Sequence, residues 1–371
     1  MELLTKTFIK RGWLYVKNWS YHISFMKSGS TIVRLCSSKP VNLQNITKKV
    51  DSFGKLIVDL PYNVMIKPTD PHEYSDMDTL MVKIFSRRSI TKNNKNKEFI
   101  SVNVSGVCKI NAIDNDYNVN DLTCLIEAPV SYDIDAKTVK ESDVTISGMV
   151  SNYINVQTEF GNIKGSQLQC KKIVFSSSEG GSVTLEKATQ GNIEINTAKD
   201  GAVKTEKCLG NTLDISTENG DINLGSNYCE KATFTSNNGN IHLNNLHMDS
   251  TVDINGNGSL EITCLDGSLK ANLQEGSTKI QIVRITDDSQ LISNGPIHLT
   301  IPEDNDAKLV LNAPELDVDD KICGKYSNNH TKFIGKNEGN KFKVETTKSI
   351  QVTKASWMES LNLKKASTQK K

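Results

Sequence analysis

The chain has 371 residues, with 44 Lys and Arg against 43 Asp and Glu and a net charge of +1. This balance excludes a globally basic nucleic-acid binder and an acidic tail protein. Apolar residues make up 37% and aromatic residues 6% of the chain, which is lean for one compact core and sufficient for a thin core shared among stacked layers. No apolar run approaches the ~18 residues that a membrane-spanning helix needs.

The chain begins with a basic segment and continues with an acidic body. Residues 1–50 hold nine basic side chains and one acidic side chain, which leaves 35 basic and 42 acidic residues, a net charge of −7, in residues 51–371. On a helix drawn over the first residues, apolar and basic side chains fall on opposite faces; these are Leu4, Phe8, Tyr15 and Trp19 against Lys6, Lys10 and Lys17. An amphipathic, basic segment poor in carboxylates predicts that residues 1–40 are a mitochondrial transit peptide, disordered or helical. The alternative is the disordered basic tail of a cytosolic protein.

Eight glycines that each precede an alternating apolar stretch recur at a near-constant interval. They are Gly161, Gly180, Gly201, Gly220, Gly239, Gly258, Gly276 and Gly295, with steps of 19, 21, 19, 19, 19, 18 and 19 residues. Before most of them lie a second alternating stretch and a polar turn. Each unit therefore has the pattern of a strand, a polar turn with glycine, and a second strand.

A fixed period near 20 residues predicts an all-β fold, a parallel β-helix (β-solenoid) with rungs of about 19 residues over 131–353. Alternation places Ile222 and Leu224 on one strand face, so stacked rungs share one apolar column. The glycines are expected at tight corners that need a positive φ, and neighbouring asparagines are expected to form amide ladders. No proline occurs from Val130 through Gly295, as expected where backbone N–H groups are used on both sides of a stack.

An antiparallel meander is the competing fold. Asn-Gly pairs such as Asn219-Gly220 and Asn238-Gly239 stand between alternating segments, and Asn-Gly is a hairpin signal. A meander does not require its turns to recur at one interval, so the constant step favours the solenoid. Strand direction separates the two folds, because neighbouring strands run parallel in the solenoid and antiparallel in the meander.

Both ends of the repeat are expected to be capped, because an open solenoid exposes strand edges. Residues 41–130 contain strand patterns with longer loops and are predicted to be an N-terminal β region that caps the solenoid. Residues 354–371 are predicted to be a short capping helix and a basic tail. Ser356 and Glu359 fit the capping box that opens this helix, and Trp357 is expected to pack on the last rungs.

Polar residues near the turns are the candidates for chemistry. Some β-helices cleave acidic polysaccharides with clustered carboxylates, Arg and Ca²⁺, and Glu159, Glu179, Asp200 and Glu218 stand near successive turns. The register of these acids is loose, and Arg284 is the only arginine between residues 130 and 300. Solvated corner residues are therefore the favoured interpretation, and we expect no catalytic residue, cofactor or metal.

Histidines and cysteines show no metal-ligand spacing. His242 and His298 hold matching places three rungs apart, about 14 Å, which is too far to share one metal. Alternation turns His242 outward, opposite to Ile241 and Leu243. The eight cysteines form no C-x-x-C pair and are expected to be small buried apolar residues rather than a disulfide framework.

The Gly-x-Ile-x-Leu rungs, as in Gly239-Asn-Ile-His-Leu, resemble the putative-adhesin domain of unknown function that is common in bacterial surface and periplasmic proteins. Two further stretches, Cys124-Leu-Ile-Glu-Ala-Pro-Val and Ser356-Trp-Met-Glu-Ser-Leu-Asn-Leu, resemble the animal "family with sequence similarity 185" proteins, and this resemblance covers roughly residues 50–363. The resemblance implies a right-handed parallel β-helix and mitochondrial residence. It carries no catalytic residue, because that family has no established mechanism.

Two functions remain in competition. The first is a noncatalytic binding or scaffold module, polar outside, that offers Thr, Ser and Asn ladders to a protein or glycan partner. The second is a hydrolase or lyase that acts on polysaccharide along the side of the solenoid. A groove lined by carboxylates with Arg or Lys would indicate the second, and a smooth Thr, Asn and Ser face the first. The sequence favours the noncatalytic binding or scaffold module, in a mitochondrial protein that does not bind nucleic acid. It leaves the identity of the partner and the oligomeric state open.

Overall fold

The computed structural model describes residues 41–86, 98–113, 122–302, 305–320, 322, 324–328, 331–335 and 339–355. These residues contain 25 strands and no helix, so the described part of the protein is all-β. The expected transit peptide at 1–40 and the expected capping residues Ser356, Trp357 and Glu359 lie outside the described residues. Lys354, the first residue of the region that was expected to hold the capping helix and the basic tail, is the last residue of a strand.

The strands fall into three groups along the chain. The N-terminal strands are β1 (Val41–Lys49), β2 (Lys55–Leu60), β3 (Asn63–Pro68), β4 (Thr79–Ser86), β5 (Ile100–Asn103), β6 (Cys108–Ala112), β7 (Leu122–Ala128), β8 (Asp133–Thr138) and β9 (Val144–Ser147). The central strands are β10 (Val150–Thr158), β11 (Ile163–Ser177), β12 (Val183–Thr197), β13 (Val203–Thr217), β14 (Ile222–Ser236), β15 (Ile241–Ile254) and β16 (Leu260–Leu273). The C-terminal strands are β17 (Thr278–Ile285), β18 (Ser289–Ser293), β19 (Ile297–Ile301), β20 (Lys308–Asn312), β21 (Glu315–Val318), β22 (Gly324–Asn328), β23 (Thr331–Ile334), β24 (Lys341–Thr346) and β25 (Ser349–Lys354).

Neighbouring central strands run parallel. β12 pairs with β13 through Val183 and Val203, and β13 pairs with β14 through Val203 and Ile222. The same direction continues from β14 to β15 and from β15 to β16. This part of the chain is therefore a parallel β-solenoid, and the antiparallel meander is excluded for these strands. Residues that hydrogen-bond through a side chain to the adjacent coil here lie 18 to 20 positions apart in sequence.

Each central coil is one bent strand followed by a short turn. In β12 the residues alternate between core and solvent on both sides of the bend, and Val183, Leu185, Ile193 and Ile195 are buried. The next coil continues the column, since Ile193 lies beside Leu213, which is also buried. Removing one such side chain from water contributes about 1.5–3 kcal/mol. The continuous apolar column is therefore the main stabilising feature of the stack.

The glycine row at the turns allows neighbouring coils to approach closely. A Cβ atom at Gly181, Gly220 or Gly239 would lie 2.0 Å from the carbonyl oxygen of the glycine one coil earlier, so a side chain there collides with backbone. Of the eight glycines identified in the sequence, only Gly180 and Gly276 have a positive φ. The expected reason, a positive φ at each corner, is therefore wrong for the other six. In the turn at 180–181, the glycine that lies against the previous coil is Gly181 and not Gly180.

A buried row of hydroxyl groups precedes the glycine turns, and the sequence patterns did not identify it. Thr217 Oγ1 donates to the carbonyl oxygen of Gly220 at 2.8 Å. One coil later, Ser236 Oγ accepts from the backbone N–H of Gly239 at 2.8 Å, and the two hydroxyl oxygens lie 3.1 Å apart. These bonds satisfy backbone groups that a tight turn leaves without strand partners.

The coils on the N-terminal side are interrupted by a long excursion. β2 pairs in parallel with β8 through Leu56 and Ile134, and β3 pairs in parallel with β9 through Val64 and Val144. Of the strands between them, β6 and β7 also stack in parallel on β2 and β3. By contrast, β4, which runs antiparallel to β1 and β7, and β5, which runs antiparallel to β6, leave the coil. The region 41–130 therefore contains coil strands as well as strands that cover them.

A second excursion occurs on the C-terminal side. β19 pairs in parallel with β25 through Ile297 and Ile350, and β18 pairs with β24 through Ser289 and Phe342. Between them, β23 runs antiparallel to β20 and β22. Bonded partners lie 53 residues apart here, so the expectation of a uniform coil length is wrong at this end. β24 and β25 are the last strands in the part of the chain that the structure describes.

Candidate binding surface

Three of the four acidic residues identified in the sequence accept hydrogen bonds from lysines at the corners of the solenoid. Glu159 Oε2 accepts from the backbone N–H of Lys140 at 2.7 Å, and Glu218 Oε2 accepts from that of Lys199 at 2.7 Å. Both lysines have a positive φ, 58° and 51°, which is unfavourable for a residue with a side chain. Glu179 also binds the ammonium group of Lys199. These carboxylates therefore stabilise strained corners of adjacent coils through charge-assisted bonds.

The four acidic positions do not form one site. Asp200 lies exposed in the turn before Gly201, and the partners of the other three are backbone and lysine groups. Glu206, which the sequence patterns missed, accepts from the backbone N–H of Lys187 at 2.6 Å in the same way. Among the described residues, no group of three or more His, Cys, Asp or Glu side chains could hold a metal ion.

His242 and His298 belong to one outward row but contact different neighbours. His242 Nδ1 lies 3.4 Å from Glu261 Oε2, and Glu261 Oε1 lies 3.1 Å from Lys279 Nζ. The hydrogen bond from Lys279 holds the pKa of Glu261 below its ordinary value. His298 Nδ1 lies 3.0 Å from Gln351 Oε1. The outward direction predicted for His242 agrees with its side chain, which is 42% exposed.

A second outward row crosses the strands from β13 to β17, and the sequence patterns did not reveal it. The rings of Tyr228 and His247 stack with their centroids 4.8 Å apart, and Lys207 Nζ lies 5.2 Å from the Tyr228 centroid. His247 Nδ1 lies 3.4 Å from Asp266 Oδ2, and Asp266 Oδ1 lies 2.7 Å from Arg284 Nε. Each contact joins two adjacent coils, so the row ties the stack together along its outside.

Asparagine ladders run along the turns, as the sequence predicts. Asn238 Nδ2 donates to Asn219 Oδ1 at 2.8 Å, and Asn240 Nδ2 donates to Asp221 Oδ1 at 3.1 Å. The Oδ1 atom of Asn240 in turn accepts from the backbone N–H of Ser259 at 3.0 Å. The amides of these turns are therefore occupied within the framework.

The described cysteines are thiols that pack in or near the core. Burial raises the pKa of Cys208 to about 11 and that of Cys229 to about 12, and it also raises the pKa of Cys124. A nucleophilic cysteine needs a lowered pKa, so these thiols have the character of buried apolar residues. Cys36 and Cys323 lie outside the described residues. The free, described cysteines are Cys108, Cys124, Cys170, Cys208, Cys229 and Cys264, of which the last is half-buried.

A groove of about 480 Å³ crosses four adjacent strands, β10 to β13, at the bend of each coil. Gly191 and Gly210 line it, with φ values of 146° and 148°, and a Cβ atom at Gly210 would lie 2.1 Å from the carbonyl oxygen of Gly191. Gln190 and Asn192 flank Gly191 and also line the groove. The groove is therefore a polar concavity with glycine backbone at its centre.

Comparison with known proteins finds a matching domain family and several similar solved structures, some of which are described as putative adhesins. A family model described as Toastrack DUF4097 matches residues 182–356. A solved structure of a putative adhesin from Parabacteroides merdae is 11% identical, covers 84% of this chain and 95% of its own chain, and has a TM-score of 0.35. A putative lipid binding protein from Parabacteroides distasonis is 12% identical, covers 84% of this chain and 96% of its own, and has a TM-score of 0.33. A putative adhesin from Bacteroides fragilis is 14% identical, covers 85% of this chain and 99% of its own, and has a TM-score of 0.30.

No helix among the described residues is both long enough and apolar enough to span a bilayer.

Proposed function

We propose that the chain is a noncatalytic binding or scaffold module built on a β-solenoid. The observation that carries this proposal is the use of the turn carboxylates, because Glu159, Glu179 and Glu218 bind backbone and lysine groups of neighbouring coils. Carboxylates held in this way stabilise corners and do not present a free acid and base pair to a substrate. The outward rows of bonded side chains then form a rigid polar surface for a protein or glycan partner.

A hydrolase or lyase that acts on polysaccharide is the alternative. Such an enzyme needs a pair of carboxyl groups about 5–9.5 Å apart on either side of the scissile bond. The groove across β10 to β13 is lined by amide, glycine, serine, cysteine and valine residues and by Lys171. This lining supports binding without cleavage.

The test of this function combines turnover with partner capture. We expect no release of reducing ends when the purified protein is incubated with neutral and acidic polysaccharides, with or without Ca²⁺. We expect a proximity-labelling enzyme fused to the full chain to mark a reproducible set of neighbours. A Gly220→Val variant, whose side chain collides with Gly201, is the control that should lose this set. Ca²⁺-dependent cleavage of a glycan would contradict the proposal.

We also propose that residues 1–40 direct the protein to mitochondria. The support is their composition, since residues 1–50 hold nine basic side chains and one acidic side chain. A fluorescent reporter placed after residue 45 should accumulate in mitochondria, and the triple change of Lys6, Lys10 and Lys17 to Glu should leave it diffuse. A diffuse signal from the unchanged leader would contradict import. Kinship with the animal "family with sequence similarity 185" proteins is part of this proposal and rests on the stretches at 124–130 and 356–363.

A further inference from the structure

The groove across β10 to β13 has polar side chains that the framework does not use. In the part of the chain that the structure describes, the side-chain amides of Gln169, Gln190, Asn192 and Asn211 make no hydrogen bond to another residue, and all four are exposed. The turn asparagines, by contrast, bond along the stack. The groove thus combines a concave shape with free donors and acceptors.

The concave shape follows from the packing of the coils. A Cβ atom at Gly191 would lie 2.0 Å from the carbonyl oxygen of Cys170, and one at Gly210 would lie 2.1 Å from that of Gly191. Neither position accepts a side chain, so glycine backbone stays open to a ligand. Because the lining residues lie on or between hydrogen-bonded strands, the groove is formed before any ligand arrives.

The charge and chemistry of the lining indicate a neutral ligand rich in hydroxyl groups. Lys171 is the one charged residue that lines the groove, and the neighbouring Lys172 is paired with Glu194 at 3.4 Å. One ammonium group is too little for a nucleic acid, whose binding depends on several phosphate contacts. An amide group both donates and accepts, as a hydroxyl group does, so each groove amide can bond a sugar hydroxyl in two ways.

The spacing of the amides favours a glycan over a peptide as the ligand of the groove. Gln169 and Gln190 are register partners on β11 and β12, so successive positions along the groove lie about 4.8 Å apart. This step is close to the length of one pyranose unit in an extended glycan, whereas an extended peptide advances about 3.3 Å per residue. A peptide also cannot add as a further strand here, because the strands β11 and β12 are already paired on both sides.

We propose that this groove binds a neutral oligosaccharide that lies along the solenoid, with about one sugar unit opposite each coil. The amides of Gln169, Gln190, Asn192 and Asn211 bond its hydroxyl groups, and the backbone at Gly191 and Gly210 lets the sugar approach closely. The proposal rests on the proposed binding function and names the chemical class of its ligand.

Calorimetric titration of the full chain with linear oligosaccharides of glucose, mannose and N-acetylglucosamine tests the proposal. We expect at least one series to bind, with an affinity that rises with each added unit and levels off once the oligosaccharide spans the four strands of the groove. The double variant Gln190→Ala with Asn192→Ala should weaken Kd about tenfold or more, because it removes two side chains that bond the ligand.

The matched control is Asn223→Ala, which removes an exposed amide of β14 outside the groove and should leave Kd unchanged. Thermal melting of both variants checks that the solenoid is intact. Absence of binding in all three series, or equal weakening by the control, overturns the proposal. Binding of extended peptides at Gln190 in place of sugars also overturns it. The proposed noncatalytic function is decided separately, by the turnover measurement.

Discussion

At single positions, the distance between adjacent coils determines which residues a turn accepts. The Cβ of an alanine at Gly220 would lie 2.0 Å from the carbonyl oxygen of Gly201, and both atoms belong to tightly bonded backbone. At Gly180 the nearest atom to such a Cβ is the Cβ atom of Lys199, 3.8 Å away, but the φ of Gly180 is 100°. One glycine is therefore required for space and the other only for backbone conformation.

We expect Gly220→Ala to lower the free energy of unfolding by about 3 kcal/mol or more, because the coils must separate to admit the methyl group. Gly180→Ala, the control, should cost about 1–2 kcal/mol, the strain of a left-handed residue. Chemical denaturation followed by circular dichroism measures both values. Equal losses for the two variants would show that coil contact is not the reason for glycine at position 220.

The glycine row was predictable from the sequence, but its physical reason was not. The interval is visible in the chain, while a clash with the previous coil depends on the distance between backbones, which only coordinates give. The hydroxyl row could have been predicted from the sequence, because Thr217 and Ser236 each stand three residues before a glycine of the repeat. The free amides at Gln190 and Asn192 have no sequence signal, since paired and unpaired amides look alike in a chain rich in both.

At the scale of strands, ion pairs join the N-terminal excursion to the coil. Glu127 on β7 accepts from Lys67 Nζ on β3 at 2.8 Å and from Lys83 Nζ on β4 at 2.9 Å. Burial acts to raise the pKa of Glu127, but the hydrogen bonds from the two lysines outweigh burial and hold this pKa below its ordinary value. The carboxylate is only 12% exposed, so solvent screens these bonds less than it screens a surface pair.

We expect Glu127→Gln to lower the free energy of unfolding by about 1–2 kcal/mol at neutral pH. Because the folded pKa of Glu127 is lowered, its contribution is fully present above the unfolded value of about 4.3 and is lost as the pH falls through the folded value. Denaturation curves of the two proteins should therefore converge at acidic pH. Glu194→Gln is the control, because Glu194 pairs with Lys172 at a more exposed position and should cost less than about 0.5 kcal/mol. A difference that persists unchanged at acidic pH would contradict this assignment.

The register of the central strands was predictable because their turns are short and recur at nearly equal intervals. The two excursions were not, because the sequence does not show that β2 skips to β8 or that β19 skips to β25. The alignment of Tyr228 with His247 was within reach of counting, because the two residues stand one 19-residue step apart. Their stacking was not predictable, because the strand pairing shifts between Asn227 and Lys231.

For the molecule as a whole, each central coil contacts mainly the coil before and the coil after it. In such a stack, stability is approximately a sum of coil terms and terms for neighbouring pairs. A defect in the core should therefore loosen the nearby coils before the distant ones. Leu224, buried on β14 between Thr205 and Leu243, is a suitable position for such a defect.

We expect Leu224→Ala to cost about 2–5 kcal/mol, because it leaves a cavity in the apolar column. Hydrogen exchange followed by mass spectrometry should show faster exchange in β13, β14 and β15, with β2 and β25 little changed. Asn223→Ala on the solvent side of the same strand is the control and should leave exchange unaltered. Uniform acceleration across all strands would show instead that the solenoid unfolds as one cooperative unit, and that coils do not contribute separately.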